Sequence, residues 1–259
     1  MNSELSSIHP DARIGKNVTV GPFVTIDKNV VIGDNTCIYP NAVILSGARI
    51  GNNCRIFPGA VISAIPQDLK FKGEETVCEI GNDTTIRECV TVNRGTASRG
   101  KTIIGHNCLL MAYSHVAHDC ILNNHIIIGN ASQLAGEIEI DDFAIVSGGS
   151  LVHQFTKIGK HVMIQGGSKV GKDVPPYIVA GREPISYSGV NIVGLRRRDF
   201  SNEQIACIQE IYRAIYQSGM NNSDAVKYIK ASIAEGKERE EILSFMSNSQ
   251  RGIIRGYLG

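Results

Sequence analysis

The stretch HVAHDC, His115 to Cys120, places two histidines three residues apart and an aspartate directly after the second. Three kinds of chemistry use such a string. Two imidazoles can share a metal ion, a polar run can be a solvated surface, and a histidine held by a carboxylate can act as a general base. A catalytic zinc needs three protein ligands and an open position, for which His106, His125 and His153 are the remaining candidates beside His115 and His118. Acyl transfer to a hydroxyl needs something else: a group that takes the hydroxyl proton as the oxygen attacks. A neutral imidazole suits that task. The local string leaves all three open, and the elements that carry it must decide.

Those elements announce themselves by a period of six. Stepping from Ile8 gives Ile14, Val20, Ile26, Ile32, Ile38, Ile44, Ile50, Ile56 and Ile62; the phase resumes at Ile80, Ile86 and Val92. From Ile104 it runs without a break through Val116 and Leu134 to Val170. An α-helix would turn each of these side chains to a new face, and a plain strand would alternate by two. A coil of short strands joined by corners explains the spacing, with one inward aliphatic on each side. Glycine often follows the aliphatic, as at Gly15, Gly33 and Gly105, which a tight corner would favour. Four residues after it comes a second, often small position (Ala42, Cys54, Cys108, Ser114, Cys120, Ser132), fit for a narrow interior. Cysteines there are expected to pack rather than react.

The hexads amount to roughly eight three-sided coils, about 40 Å tall at ~4.8 Å per coil. Two insertions break them, near residues 63–79 and 93–103, and loops expelled from a solenoid are where function usually sits. In this hexad frame Val116 and Cys120 point inward, so His118 and Asp119 are expected at a corner, on the surface rather than in the core. The pattern stops at Val174-Pro175-Pro176. Ser201 and Gln204 form a capping box that predicts a helix to about Gln217; Asn222 and Ser223 open a second that ends near Gly236, and KEREEILSFMS predicts a third. The chain thus divides into a β-helix over 1–190 and a small α-helical domain over 191–259, placed to cap the open end of the prism. With 26 Lys plus Arg against 25 Asp plus Glu, no global charge argues for nucleic acid. The first residues lack a basic-then-apolar signal pattern, no run approaches membrane-spanning length, and the seven cysteines form no CxxC pair. A cytoplasmic protein with reduced thiols and no membrane insertion is expected.

PQDLK at 66–70, TVNRGT at 91–96, HVAHDC at 115–120, LAG at 134–136, VHQF at 152–155, DVPPY at 173–177 and GVNIVGLRRR at 189–198 stand in an order that closely resembles the UDP-N-acetylglucosamine O-acyltransferases that start lipid A synthesis. These belong to the left-handed parallel β-helix acyltransferases, and the handedness is taken from that resemblance. The resemblance implies a homotrimer with its active site between subunits. It implies transfer of a (R)-3-hydroxyacyl group from the phosphopantetheine of acyl carrier protein to the 3-hydroxyl of UDP-N-acetylglucosamine, with no resident cofactor and no metal. His118 would then be the base and Asp119 its orienting carboxylate. Gly136, eighteen residues and hence one coil beyond His118, would stack on it and offer a backbone N–H to the thioester oxyanion. Asp68, Lys70 and His115 match residues that contact the sugar or its phosphates. His153 and Gln154 match acceptor positions, and Asn191, Arg197 and Arg198 match uridine and diphosphate contacts. Those arginines and nearby lysines are also candidates to receive an acidic acyl carrier protein. Met163 and Gly166 match the stretch that ends the acyl groove.

Three positions depart from the common pattern. Glu137 stands where a histidine is common and is a candidate substrate contact in its place; Val193 replaces a glutamate, and Pro184 a histidine. Glu137 lies eighteen residues after Asp119, so two stacked carboxylates are expected to repel and raise the pKa of one of them or of His118. The departures leave open a 3-amino analogue of the sugar nucleotide as acceptor. Rival readings are the related N-acyltransferase acting later in the pathway, which normally carries an extra N-terminal domain, a β-helix zinc hydratase, and a non-catalytic scaffold.

Overall fold

A computed structural model describes residues 4–256. Each aliphatic of the hexad series lies in a short strand, mostly of two residues, from Ser7–Ile8 to Lys169–Val170. The strands stack into three parallel sheets, the faces of a triangular prism. The first face carries His115–Val116, the second Ile121–Leu122 and the third Ile127–Ile128. Register between coils is eighteen residues: His115 pairs with Gln133 and Gln133 with Leu151. Backbone N–H groups donate along the prism axis, His115 to Ser132 and Ala117 to Leu134. Inside, Val116, Leu122, Ile128 and Leu134 are fully buried, with Cys54, Cys120, Ser132 and Ser150 at the small position. Burial pushes the Cys120 thiol up to about 12 and the Cys108 thiol to about 11, so both are inert packing groups. Ile128→Val removes one buried methyl and should cost about 0.5–1.5 kcal/mol in a urea melt.

Two expectations need correction. The left-handed corner residue is three after the aliphatic, as at Asn17, Asp119 and Glu137, all with φ near +60°. The glycines that follow the aliphatic serve the stack instead: a Cβ on Gly15 would lie 2.5 Å from Asp34 Oδ1, and one on Gly105 2.5 Å from Asn123 O. The insertions are also shorter than the broken phase suggests. Val77–Ile80 already pairs with Lys101–Ile104, so the expelled loops are 65–76 and 94–100.

Past Val170 the third face continues for one more strand, Ile178–Gly181, before Ser186–Val190 turns back antiparallel to it. Among the described residues four helices follow: α1 (Ile192–Arg196), α2 (Asn202–Tyr216), α3 (Asn222–Ser232) and α4 (Lys237–Ser247). The Ser201–Gln204 capping box opens α2, whereas α3 ends four residues before Gly236 because Ile233 is extended and buried. The helices cover the end of the prism. Tyr212 donates to Pro176 O, Ser249 to Asp173 Oδ2, and Ile254 N to Asp173 O. Arg255–Gly256 returns to pair with Ser186–Tyr187. Among the described residues no helix is long and apolar enough to cross a membrane.

Candidate active site

His118 and Asp119 sit at the corner between the first and second faces, but they are not on the surface. Asp119 is fully buried and His118 is 8% exposed. The reason is the 94–100 loop, which folds over this corner and closes on Asp119. Asp119 Oδ2 accepts from His118 Nδ1 at 2.7 Å and from Thr96 Oγ1 at 2.6 Å; Oδ1 accepts from the N–H of Thr96 at 3.0 Å and of Arg99 at 3.2 Å. Burial alone would raise this carboxyl. The Thr96 hydroxyl, the His118 ring and the two N–H groups outweigh it and hold the carboxyl below its ordinary range. An ionised acceptor at Nδ1 fixes the proton there and leaves Nε2 with its lone pair free. Nε2 is the atom that can take a proton.

Gly136 lies against the ring. A Cβ there would stand 2.6 Å from His118 Cε1 and 2.7 Å from Nε2, so only glycine lets the next coil approach the imidazole this closely. From the other side the 65–76 loop brings Asp68 Oδ2 to 3.9 Å from Nε2, with Lys70 N–H donating to Asp68 Oδ1. His115 Nδ1 is 2.7 Å from Thr91 Oγ1, and burial holds its pKa down, which favours the neutral ring. Asp68, Lys70, His115, His118, Asp119 and Gly136 thus gather at one corner.

Glu137 is at the same corner, but its carboxylate is spoken for. Ser98 Oγ donates to it at 2.9 Å and Arg99 Nε lies 3.5 Å away, while the other end of Arg99 holds Glu139 at 2.7 Å. Of the groups in which repulsion is expected to raise a pKa, Asp119 moves the other way: the Thr96 hydroxyl, the His118 ring and the N–H groups of Thr96 and Arg99 hold its carboxyl down against burial. Glu137→His should therefore keep turnover within about fivefold, the worth of a partly exposed ion pair of up to ~1 kcal/mol. Steady-state kinetics of the purified variant checks this.

The other expected site residues lie elsewhere in the single chain. His153 is exposed and Gln154 half-buried, two coils beyond His118. Asn191 is buried, its amide donating to His161 O and accepting from Gly194 N as the cap of α1. Arg198 donates to Gly194 O and Phe143 O and packs its guanidinium over the Phe143 ring, at the corner between the second and third faces. Arg197 is next to it in sequence. Met163 lies in the Met163–Ile164 strand of the third face, and Gly166 in the corner that leads from it to the first face. Among the described residues no three His, Cys, Asp or Glu side chains gather as a metal set. Sequence reasoning missed Thr96, Ser98 and Arg99. Thr96 closes the TVNRGT motif, and Ser98 and Arg99 were marked only by their place in a loop expelled from the repeat.

Comparison with known proteins places the chain in a family. A family profile described as UDP-N-acetylglucosamine O-acyltransferase, domain 2, matches residues 173–254, and one described as the GMPPB C-terminal domain matches 3–103. The acyl-[acyl-carrier-protein]–UDP-N-acetylglucosamine O-acyltransferase of Trichlorobacter lovleyi is 49% identical over 253 residues, covering 96% of this chain and 97% of its own. The chain belongs to the UDP-N-acetylglucosamine O-acyltransferase family. The crystal structure of a UDP-N-acetylglucosamine acyltransferase from Bacteroides fragilis superposes with a TM-score of 0.97 at 60% identity, covering 98% of this chain and 100% of that one. One from Francisella novicida superposes at 0.97 with 39% identity, covering 100% and 95%. The prism of this acyltransferase is accordingly a left-handed parallel β-helix.

Proposed function

We propose that this chain transfers a (R)-3-hydroxyacyl group from acyl carrier protein to the 3-hydroxyl of UDP-N-acetylglucosamine, the first step of lipid A synthesis. The observation that carries the reading is the buried His118–Asp119 pair, with Gly136 backbone against the imidazole. His118 Nε2 takes the proton of the 3-hydroxyl as its oxygen attacks the thioester carbonyl. Negative charge moves onto the carbonyl oxygen, where the Gly136 N–H stabilises it. The carbon–sulfur bond breaks, and the phosphopantetheine thiolate takes the proton back from the His118 imidazolium. Asp119, anionic throughout, stabilises that imidazolium. The acyl donor arrives on its carrier, and no resident cofactor takes part.

The acceptor is held by Asp68, Lys70, His115, His153 and Gln154, with Glu137 beside them, and its uridine diphosphate by Asn191, Arg197 and Arg198. In one chain the base and these arginines lie on different edges of the prism. The proposal therefore includes a homotrimer, in which one edge of a subunit meets another edge of its neighbour. The enzyme works in the cytoplasm, where acyl carrier protein and the sugar nucleotide meet.

The deciding experiment offers acyl carrier protein thioester with either UDP-N-acetylglucosamine or its 3-amino analogue. The expected result is transfer to the 3-hydroxyl. Transfer to the amine alone would overturn the acceptor, and transfer to neither would overturn the reaction.

A further inference from the structure

We infer that Thr96 is a positioning residue of this acyltransferase, holding Asp119 so that His118 presents a free Nε2. The inference rests on the function proposed above. Thr96 is buried in the 94–100 loop, and each of its polar atoms has a defined partner. Its hydroxyl oxygen accepts from Ser98 N at 3.1 Å, so its proton goes to Asp119 Oδ2 at 2.6 Å. Its own N–H goes to Asp119 Oδ1, and its carbonyl accepts from Gly100 N. The loop is stapled from both sides. Thr76 Oγ1 donates to Gly95 O at 2.6 Å, Ala97 N donates to Glu74 Oε1 at 3.0 Å, and Ser98 and Arg99 hold Glu137. Gly95 is close enough to the returning strand that a Cβ would meet Lys101 N at 2.2 Å.

The consequence is an argument about lone pairs. A carboxylate offers about four acceptor directions. Here Oδ1 takes two N–H groups, and Oδ2 takes the threonine hydroxyl and His118 Nδ1. No direction is left for a proton of its own, so Asp119 stays an acceptor and the imidazole proton stays on Nδ1. Asp119 N is tied in turn to Thr102 Oγ1 at 2.8 Å, so the carboxylate cannot swing on a loose backbone. Without the threonine hydroxyl, Oδ2 loses one of its two donors. The carboxylate is then free to rotate about its remaining contacts, and the His118 ring it holds loses its fixed orientation. The other ionisable groups about the ring, Asp68, His115, Arg99 and Glu137, are unchanged by that substitution.

The test is steady-state kinetics of Thr96→Val, with Thr96→Ala beside it should the valine methyl disturb the loop. Either variant should lose about ten- to a hundredfold in kcat, the scale of one hydrogen bond to a buried charge. The KM for the sugar nucleotide should hold within about twofold. Thr96→Ser should recover most of the loss. In an Asp119→Ala background Thr96→Val should cost nothing further, because it acts through Asp119. Normal kcat overturns the inference. So does a serine variant as poor as the valine, or an equal loss in the Asp119→Ala background. A wild-type enzyme without acyl transfer would instead overturn the function, which keeps the two failures apart.

Discussion

Replacing His118 by alanine should lower acyl transfer by roughly two to four orders of magnitude, the usual worth of a general base, and leave the protein folded. Its ring fills the space between the Gly136 backbone and the Asp119 carboxylate, and no second imidazole stands in for it. His115 is turned to Thr91, with Nδ1 2.7 Å from that hydroxyl. The fold survives because Asp119 keeps three of its four donors, the Thr96 hydroxyl and two N–H groups. The oxyanion donor and the bound geometry also survive, so the residual rate should exceed that in water. Turnover with an acyl carrier protein thioester, together with sedimentation to count subunits, measures both. Near-normal turnover in a properly assembled variant would sink the mechanism.

The prism was legible because inward positions recur at fixed spacing and are filled by aliphatics of nearly one shape. Where strands broke phase, the sequence marked a loop, but too generously. Residues 77–80 and 101–104 stay paired across the insertion, and pairing between backbones leaves no side-chain signature. The burial of His118 was illegible for a related reason. A hexad frame says which side chains point into the prism; it says nothing of what a loop lays over those pointing out. Asp119 is held by a threonine hydroxyl and two backbone N–H groups, and none of these is marked by a titratable side chain. The stacking of Gly136 on His118 was readable by counting, since eighteen residues make one coil. The end of the third face was not. Past Val174 the period gives way to an antiparallel return, Ser186–Val190, set by the helices packed on it. Asn191 shows a further limit: a motif suggests what an amide can bind, whereas in the chain this amide already caps α1.

Gly166→Met should reverse the enzyme's preference from long to short acyl donors by about two orders of magnitude. Gly166 follows His118 by 48 residues, about 2.7 coils, or roughly 13 Å of rise at ~4.8 Å per coil. That is room for on the order of ten extended methylenes. Because 48 is not a multiple of eighteen, Gly166 stands on another edge of the prism than His118, and the family resemblance implies a groove that joins them between neighbouring subunits. The glycine is not required by its own backbone. Gly167 takes the left-handed turn, φ +72°, while a Cβ on Gly166 would meet only Gly148 O at 3.2 Å and Ser147 Cβ at 3.9 Å. A side chain there fits after a shift of a few tenths of an ångström, and it projects from an exposed position. Leaving 166 as glycine keeps the groove open, so a long 3-hydroxyacyl chain is the expected donor. A methionine fills the end. Denying burial to three or four methylenes at roughly 0.8 kcal/mol each gives about 2.4–3.2 kcal/mol, or about a hundredfold. Competition among acyl carrier protein thioesters of graded length reads the ranking directly. A folded, active variant that keeps the parent's ranking would show that the acyl groove ends somewhere else.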